Sequence, residues 1–428
     1  MTFAWVRYNP RLPKEFKLKS CDLDLLCSNY RMIKSSTPLS LYFHIPFCTH
    51  RCAYCDFNTY AGQEEMIPAY VVALVQEIEF VANQITRLPG NQPIIHTIFF
   101  GGGTPSLLAP KQFESIFESI RNNFTVTENA EITIEANPGT VSYEQLLKLR
   151  GIGINRISYG VQSANLEELR MLERAHNFFD VIDAVASARK AGFDNLNLDL
   201  IYGLPEQTLK TWQTTVQRIL DLHPEHISAY ALTLEHGTPF GRWASRGLLP
   251  LPDPDLAAEM YEWLSETIEQ NSYVQYEISN WSMPKHECRH NLQYWRGLPY
   301  LAFGAGAHGY ANGYRYSNVL RIKTYIDRIP NSQFTNYNFP LSPATVNHHK
   351  QTLTEDMSEF MMTGLRLTQE GVSESEFQAR FGKSMCDEYG REIEDLLKLR
   401  LIEHHAGGNI KLTKRGRLLG NQVFIRFI

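Results

Sequence analysis

From residue 39 onward, short apolar runs alternate with stretches whose apolar residues recur every three or four positions. The runs are SLYFHIP (40–46), IHTIFF (95–100), EITIE (131–135), RISYGV (156–161), NLNLDLIY (195–202) and HISAYALTL (226–234). Between them, helical patterns are expected near 66–87, 110–122, 142–150, 166–173, 179–191 and 208–221. In the first, Tyr70, Leu74, Ile78, Val81 and Ile85 share one helical face. Strands alternating with helices predict parallel strands joined by right-handed crossovers. Six units fall short of the eight that close a barrel, so the expected fold is α/β, an incomplete (β/α)6 barrel over 39–240.

Beyond 240 the alternation weakens. A helix is expected near 254–271, then an aromatic, histidine-bearing stretch at 273–316 and a Pro/Asn-rich connector at 329–346, together a barrel extension over 241–342. Helices near 355–364, 374–381 and 387–400, followed by apolar runs around Ile410 and Val423, predict a small α+β unit over 343–428 resembling a winged helix. From Pro343 onward it holds 12 acidic and 12 basic residues. That balance argues against nucleic acid as a partner, despite Lys411, Lys414, Arg415 and Arg417. Residues 1–38 read as an N-terminal extension; they lack the apolar core of a signal peptide, and Glu15, Asp22 and Asp24 argue against a transit peptide. With 43% hydrophobic and 20% charged residues, net charge −5 and no apolar run of membrane length, the chain reads as globular, without a membrane span.

The unusual residues gather at strand ends, where such folds place their chemistry. Cys48, Cys52 and Cys55 follow the first strand, Gly101-Gly102-Gly103-Thr104 the second, and Glu135 closes the third. Gln162 ends the fourth, and Asp199 lies within the fifth. Seven cysteines, an odd number in a long chain, do not suggest a disulfide framework; reduced cysteines fit the cytoplasm. Three thiolates in CTHRCAYC suit a [4Fe–4S] cluster with one iron left open. A zinc ion completed by His44 or His50 is the alternative.

Cx3Cx2C with a glycine run after the second strand resembles the radical S-adenosylmethionine superfamily. YFHIPFCTHRCAYCDF, FFGGGTPS, EANPG, SYGVQS, NLDLIYGLP, YEISNW and EFMMTGLRLTQEGV, in that order, are similar to the oxygen-independent coproporphyrinogen III oxidase group. The resemblance implies cluster ligation by Cys48, Cys52 and Cys55. It implies S-adenosylmethionine contacts from Tyr42, Gly102, Gly103, Thr104, Glu135, Gln162, Arg174 and Asp199.

Two activities are open within that group. The oxidase, a porphyrin-biosynthesis enzyme, carries a further cysteine two places after the third; here that place is Phe57. The heme chaperone branch carries HNxxYW, matched by His290, Asn291, Tyr294 and Trp295. An imidazole is a common axial ligand of heme iron, and Tyr294 and Trp295 offer flat area to a porphyrin. Arg289 and Arg296 are candidate propionate partners, and His286 and Cys288 are alternative iron ligands. The expectation is a chaperone, not an oxidase, that passes heme to respiratory proteins or apo-cytochromes.

Overall fold

A computed structural model describes residues 39–85, 93–330 and 337–428. The N-terminal extension, the end of the first expected helix and part of the connector lie outside the described residues. The six expected parallel strands are β1 (Leu39–Ile45), β2 (Ile94–Gly102), β3 (Thr125–Ala136), β4 (Arg156–Gln162), β5 (Leu196–Tyr202) and β6 (His226–Ala231). Each pairs with the next in parallel. The intervening helices are α1 (Ile67–Ile85), α2 (Pro110–Asn123), α3 (Tyr143–Ile152), α4 (Leu166–Met171), α5 (Phe178–Lys190) and α6 (Leu209–Leu220). Polar residues next to these helices serve as caps: Ser142, Asn165, Asn177 and Thr208 each accept a backbone N–H of the first turn.

The sheet does not close. β1 pairs on its far side with a later parallel strand, β9 (Tyr300–Phe303). Antiparallel strands extend both ends. β7 (Val274–Glu277) and β8 (Asn280–Ser282) lie beyond β6; β10 (His308–Ala311), β11 (Tyr314–Asn318) and β12 (Thr345–Lys350) lie beyond β9. The periodicity did not forecast β9, because its four buried residues are too few to set a period. Two helices follow the core strands, α7 (Pro239–Ser245) and α8 (Pro254–Gln270), and a short one, α9 (Arg289–Trp295), carries the HNxxYW residues.

Buried Glu77 fastens α1 to the later strands. It accepts from Gly304 N–H (2.8 Å), Asn318 Nδ2 (2.8 Å), Tyr325 O–H (2.6 Å) and Ser342 O–H (2.6 Å). A buried carboxylate needs such donors to offset its lost hydration.

From Leu353 onward a second hydrophobic cluster forms on α11 (Leu353–Gly364), α12 (Glu374–Phe381) and α13 (Met385–Lys398), the preceding α10 (Ile322–Arg328) belonging to the large unit. Its hairpin joins Ile402–His404 to Ile410–Leu412. Val423, expected near a strand, sits instead in the short helix Gly420–Phe424. Among the described residues no helix is long and apolar enough to cross a membrane.

Burial also sets an acid limit. It pushes His44 and His176 down to about 4, His290 to about 3 and His226 well below the ordinary range. These rings are neutral when folded and protonate near pH ~6.5 when unfolded. Stability is therefore full above that pH and declines as pH falls toward 4, each ring removing ~1.4 kcal/mol per pH unit. The urea midpoint is expected to fall steeply between pH 6.5 and 4.5; a flat profile over that range would refute the burial pattern.

Candidate functional site

The cysteine loop is docked on the glycine run by backbone contact. Gly103 N–H donates to Ile45 O (2.9 Å) and Thr104 N–H to Phe47 O (2.7 Å). A methyl group on Gly103 would lie 2.5 Å from Phe47 O and 2.8 Å from Ile45 O. Gly102 has φ of +109°, and a Cβ there would stand 2.5 Å from His44 Cε1. Both positions therefore exclude a side chain. Phe47–Cys48 pairs with Tyr60–Ala61, which closes the base of the loop. Asn58 Nδ2 ties the loop to Ala305 O (3.1 Å) and Leu320 O (3.0 Å).

Of the two histidines proposed for zinc, His44 has both ring nitrogens engaged within the fold. His44 Nε2 donates to Asn58 O (3.0 Å), which leaves Nδ1 to accept from Tyr42 O–H (3.1 Å). Exposed His50 pairs with Glu173 at 3.4 Å.

The three thiols are free and partly buried. Burial raises Cys48 to about 11 and raises Cys55 as well. A polar chain links Cys48 and Cys52 to Arg174. Its Nη2 donates to Asn137 Oδ1 (2.5 Å) and Gly160 O (2.6 Å), while Nη1 lies 3.5 Å from Cys52 Sγ. Asn137 Nδ2 donates to Thr104 Oγ1 (2.9 Å), whose O–H points to Cys48 Sγ (3.6 Å). A side chain at Gly160 would meet Arg174 and Asn137, both at 3.2 Å. Sequence reasoning missed Asn137 as a site residue, although it stands at a strand end inside EANPG.

Among the described residues no three His, Cys, Asp or Glu side chains are gathered tightly enough to hold one ion. A cubane does not require that, because each thiolate binds its own iron. The donor set fits such a group: three thiols beside the half-buried Arg174 guanidinium, whose buried Nε has no hydrogen-bond partner among the described residues. That cation opposes the negative charge three thiolates would carry.

The remaining predicted cofactor residues line the same rim. Glu135 accepts from Gly102 N–H (3.0 Å). Gln162 holds a left-handed conformation, φ +68°, at the end of β4. Asp199 accepts from Ser158 O–H and Asn197 Nδ2, both at 2.8 Å. Tyr42 is partly exposed, and its ring stacks on Phe99 with centroids 6.3 Å apart.

The HNxxYW helix packs against this layer. Buried Glu131 on β3 accepts from the N–H groups of Arg289 (2.9 Å) and His290 (3.0 Å) and from the Cys288 thiol (3.5 Å). A carboxylate suits those unpaired donors at a helix start. The His290 ring lies 5.1 Å from Phe99 and 6.4 Å from Tyr42, so the predicted heme and S-adenosylmethionine residues are contiguous.

His290 is 1% exposed, and both ring nitrogens are engaged. Thr97 O–H donates to Ser40 Oγ (2.6 Å), so Thr97 Oγ1 accepts from His290 Nδ1–H (2.8 Å). Nε2 then presents its lone pair to the Tyr294 hydroxyl (2.8 Å). Asn291 Nδ2 is buried without a partner, and Trp295 lies under the Arg366 guanidinium at 4.2 Å. Arg296 pairs with Glu370 (2.6 Å), and Arg289 donates to Asn129 O (2.7 Å). Cys288 is turned to Glu131, and His286 Nδ1 to Pro284 O. Thr97, Phe99 and Glu131 were legible only as strand interior, because their pairing with α9 spans more than 150 residues of chain.

Comparison with known proteins agrees with this geometry. Residues 42–219 match the radical SAM superfamily and 351–419 the HemN C-terminal domain. The heme chaperone HemW of Bacillus subtilis is 40% identical over 390 residues, covering 91% of this chain and 99% of that protein. HemW of Escherichia coli is 35% identical over 400 residues, covering 91% and 98%. Among solved structures, coproporphyrinogen III oxidase (HemN) from Escherichia coli superposes with a TM-score of 0.77 at 25% identity, covering 95% of this chain and 93% of that one.

In the metal-free chain, alkylation of Cys48 read by peptide mass spectrometry is expected to be slow at pH 8 and to rise toward pH 11, because burial keeps its thiol protonated. Gly103→Ala should undock the loop and speed that reaction at least about threefold at pH 8; an unchanged rate would mean that the glycine contact does not hold the loop. With its cysteine loop, glycine cradle and HNxxYW helix in one barrel mouth, the chain belongs to the heme chaperone HemW family of the radical SAM superfamily.

Proposed function

We propose that the chain carries a [4Fe–4S] cluster on Cys48, Cys52 and Cys55 and holds S-adenosylmethionine at the open iron. In this reading it binds heme through His290 and delivers it to heme-accepting respiratory proteins or apo-cytochromes. The observation that carries the heme assignment is the state of His290. Its Nδ1–H is held by Thr97, and its Nε2 lone pair faces a partly exposed side chain. A neutral imidazole with one nitrogen anchored and the other unprotonated is the form that ligates iron. Tyr42, Gly102, Gly103, Thr104, Glu135, Gln162, Arg174 and Asp199 surround the mouth where the cofactor would lie. A bound cluster would supply one-electron reduction; the chain's part is to dock the cysteine loop and place the half-buried Arg174 cation beside it.

The names of the relatives support heme as the ligand. The superposition on HemN favours the second reading, an oxidase. Phe57, in the place of the oxidase's further cysteine, speaks against that reading. His290 faces β2 from the same barrel mouth as Tyr42, so cargo and cofactor would be neighbours.

Heme titration of the anaerobically reconstituted protein tests both readings. His290→Ala is expected to weaken heme binding at least about tenfold and to change the Soret band. The wild-type protein should form no protoporphyrinogen IX from coproporphyrinogen III. A His290→Ala variant with unaltered spectrum and affinity would sink the heme assignment, and clear turnover would establish the oxidase.

A further inference from the structure

His290 cannot meet iron as it stands. Its ring is enclosed, and the one nitrogen with a lone pair is already an acceptor, 2.8 Å from the Tyr294 oxygen. The proton assignment follows from the neighbours. Gln293 Nε2 donates to Pro299 O (2.7 Å), so Gln293 Oε1 faces His96 Nε2 (2.9 Å), which must carry a proton. His96 Nε2 also lies 3.1 Å from Ser40 Oγ, the atom that accepts from Thr97. Thr97 has no second hydrogen to offer and accepts from His290 Nδ1–H. Nε2 is therefore the acceptor of Tyr294 O–H.

Tyr294 is the partly exposed member of the pair, held edge-on to Tyr300 with centroids 4.6 Å apart. We propose that Tyr294 is the gate on His290: its hydroxyl caps Nε2, and heme iron gains that nitrogen by displacing it. One O–H···N hydrogen bond breaks and one Fe–N bond forms, and neither side chain changes its protonation. Release runs the exchange backward, so the phenol is a built-in competitor that lowers affinity and returns when heme leaves. A carrier needs such a competitor, because a site that only held its cargo could not pass it on. This inference rests on the reading of His290 as the heme ligand.

The test uses the full chain with its cluster assembled under anaerobic conditions, titrated with hemin and followed by Soret absorbance and stopped-flow mixing. Tyr294→Phe keeps the ring and removes the cap; it is expected to bind hemin about threefold to tenfold tighter and to associate faster. Tyr294→Leu should shift binding in the same direction and carries the test if the first variant fails to fold. Thr97→Val frees Nδ1 and should weaken binding about tenfold or more, the opposite sign. If removal of the hydroxyl leaves hemin binding equal or weaker while His290→Ala abolishes it, the gate is wrong and the ligand assignment survives. If His290→Ala changes binding in neither the wild-type nor the Tyr294→Phe background, the ligand assignment itself fails and the gate fails with it.

Discussion

The site rests on one close approach of backbone to backbone. Gly102 ends β2 opposite Ile45, the last residue of β1, and the missing side chain of Gly103, next along the chain, lets the backbone lie against Ile45 and Phe47. Two N–H···O bonds then hold the start of the cysteine loop on the rim of the barrel. Phe47 and Ile45 are themselves fully buried, so the dock cannot slide without opening the core. A barrel strand is a rigid mount, and a loop bonded to it inherits that rigidity. The positions of three thiols are thereby set by residues that carry no functional group.

From that anchor two polar networks run in different directions. One runs along the rim through Thr104, Asn137 and Arg174 and joins two cysteines to a half-buried cation. The other lies within the half-barrel, where Ser40, Thr97 and Glu131 form a polar layer across β1, β2 and β3. That layer receives α9: Glu131 fixes the helix start, and Thr97 fixes the tautomer of His290. Tyr42 stands between the two networks, bonded to His44 and close to His290. His44 in turn fills the space that Gly102 leaves open, so the two networks meet through two aromatic rings.

The C-terminal unit takes part through its arginines. Arg366 covers Trp295 and also pairs with fully buried Glu277. Arg380 bonds to Gly297 O (3.0 Å) and the Tyr310 hydroxyl (3.2 Å), while Glu370 holds Arg296. The half-buried Arg366 guanidinium, with an ion-pair partner and an aromatic face, has few alternative places to go. The far end of the HNxxYW helix is therefore held by the second unit, while its start is held by the barrel. The two candidate propionate partners, Arg289 and Arg296, have protein partners of their own.

The six parallel strands, their helices and the cysteine and glycine positions were legible in the amino-acid order because each depends on local information. Apolar periodicity reports which face of an element is buried, and CTHRCAYC places its three thiols in one short loop. The HNxxYW residues were visible as a group too, on the same local ground. Strand β9, the hub role of Asn137 and the helical state of Val423 were not legible. Nor was the enclosure of His290 between Thr97 and Tyr294: two of its contacts come from β2 and β3, strands far away in sequence. Register across a sheet depends on the packing of the whole barrel, and no short window of sequence contains it. The chemistry was written locally, whereas the access to it was settled by the fold.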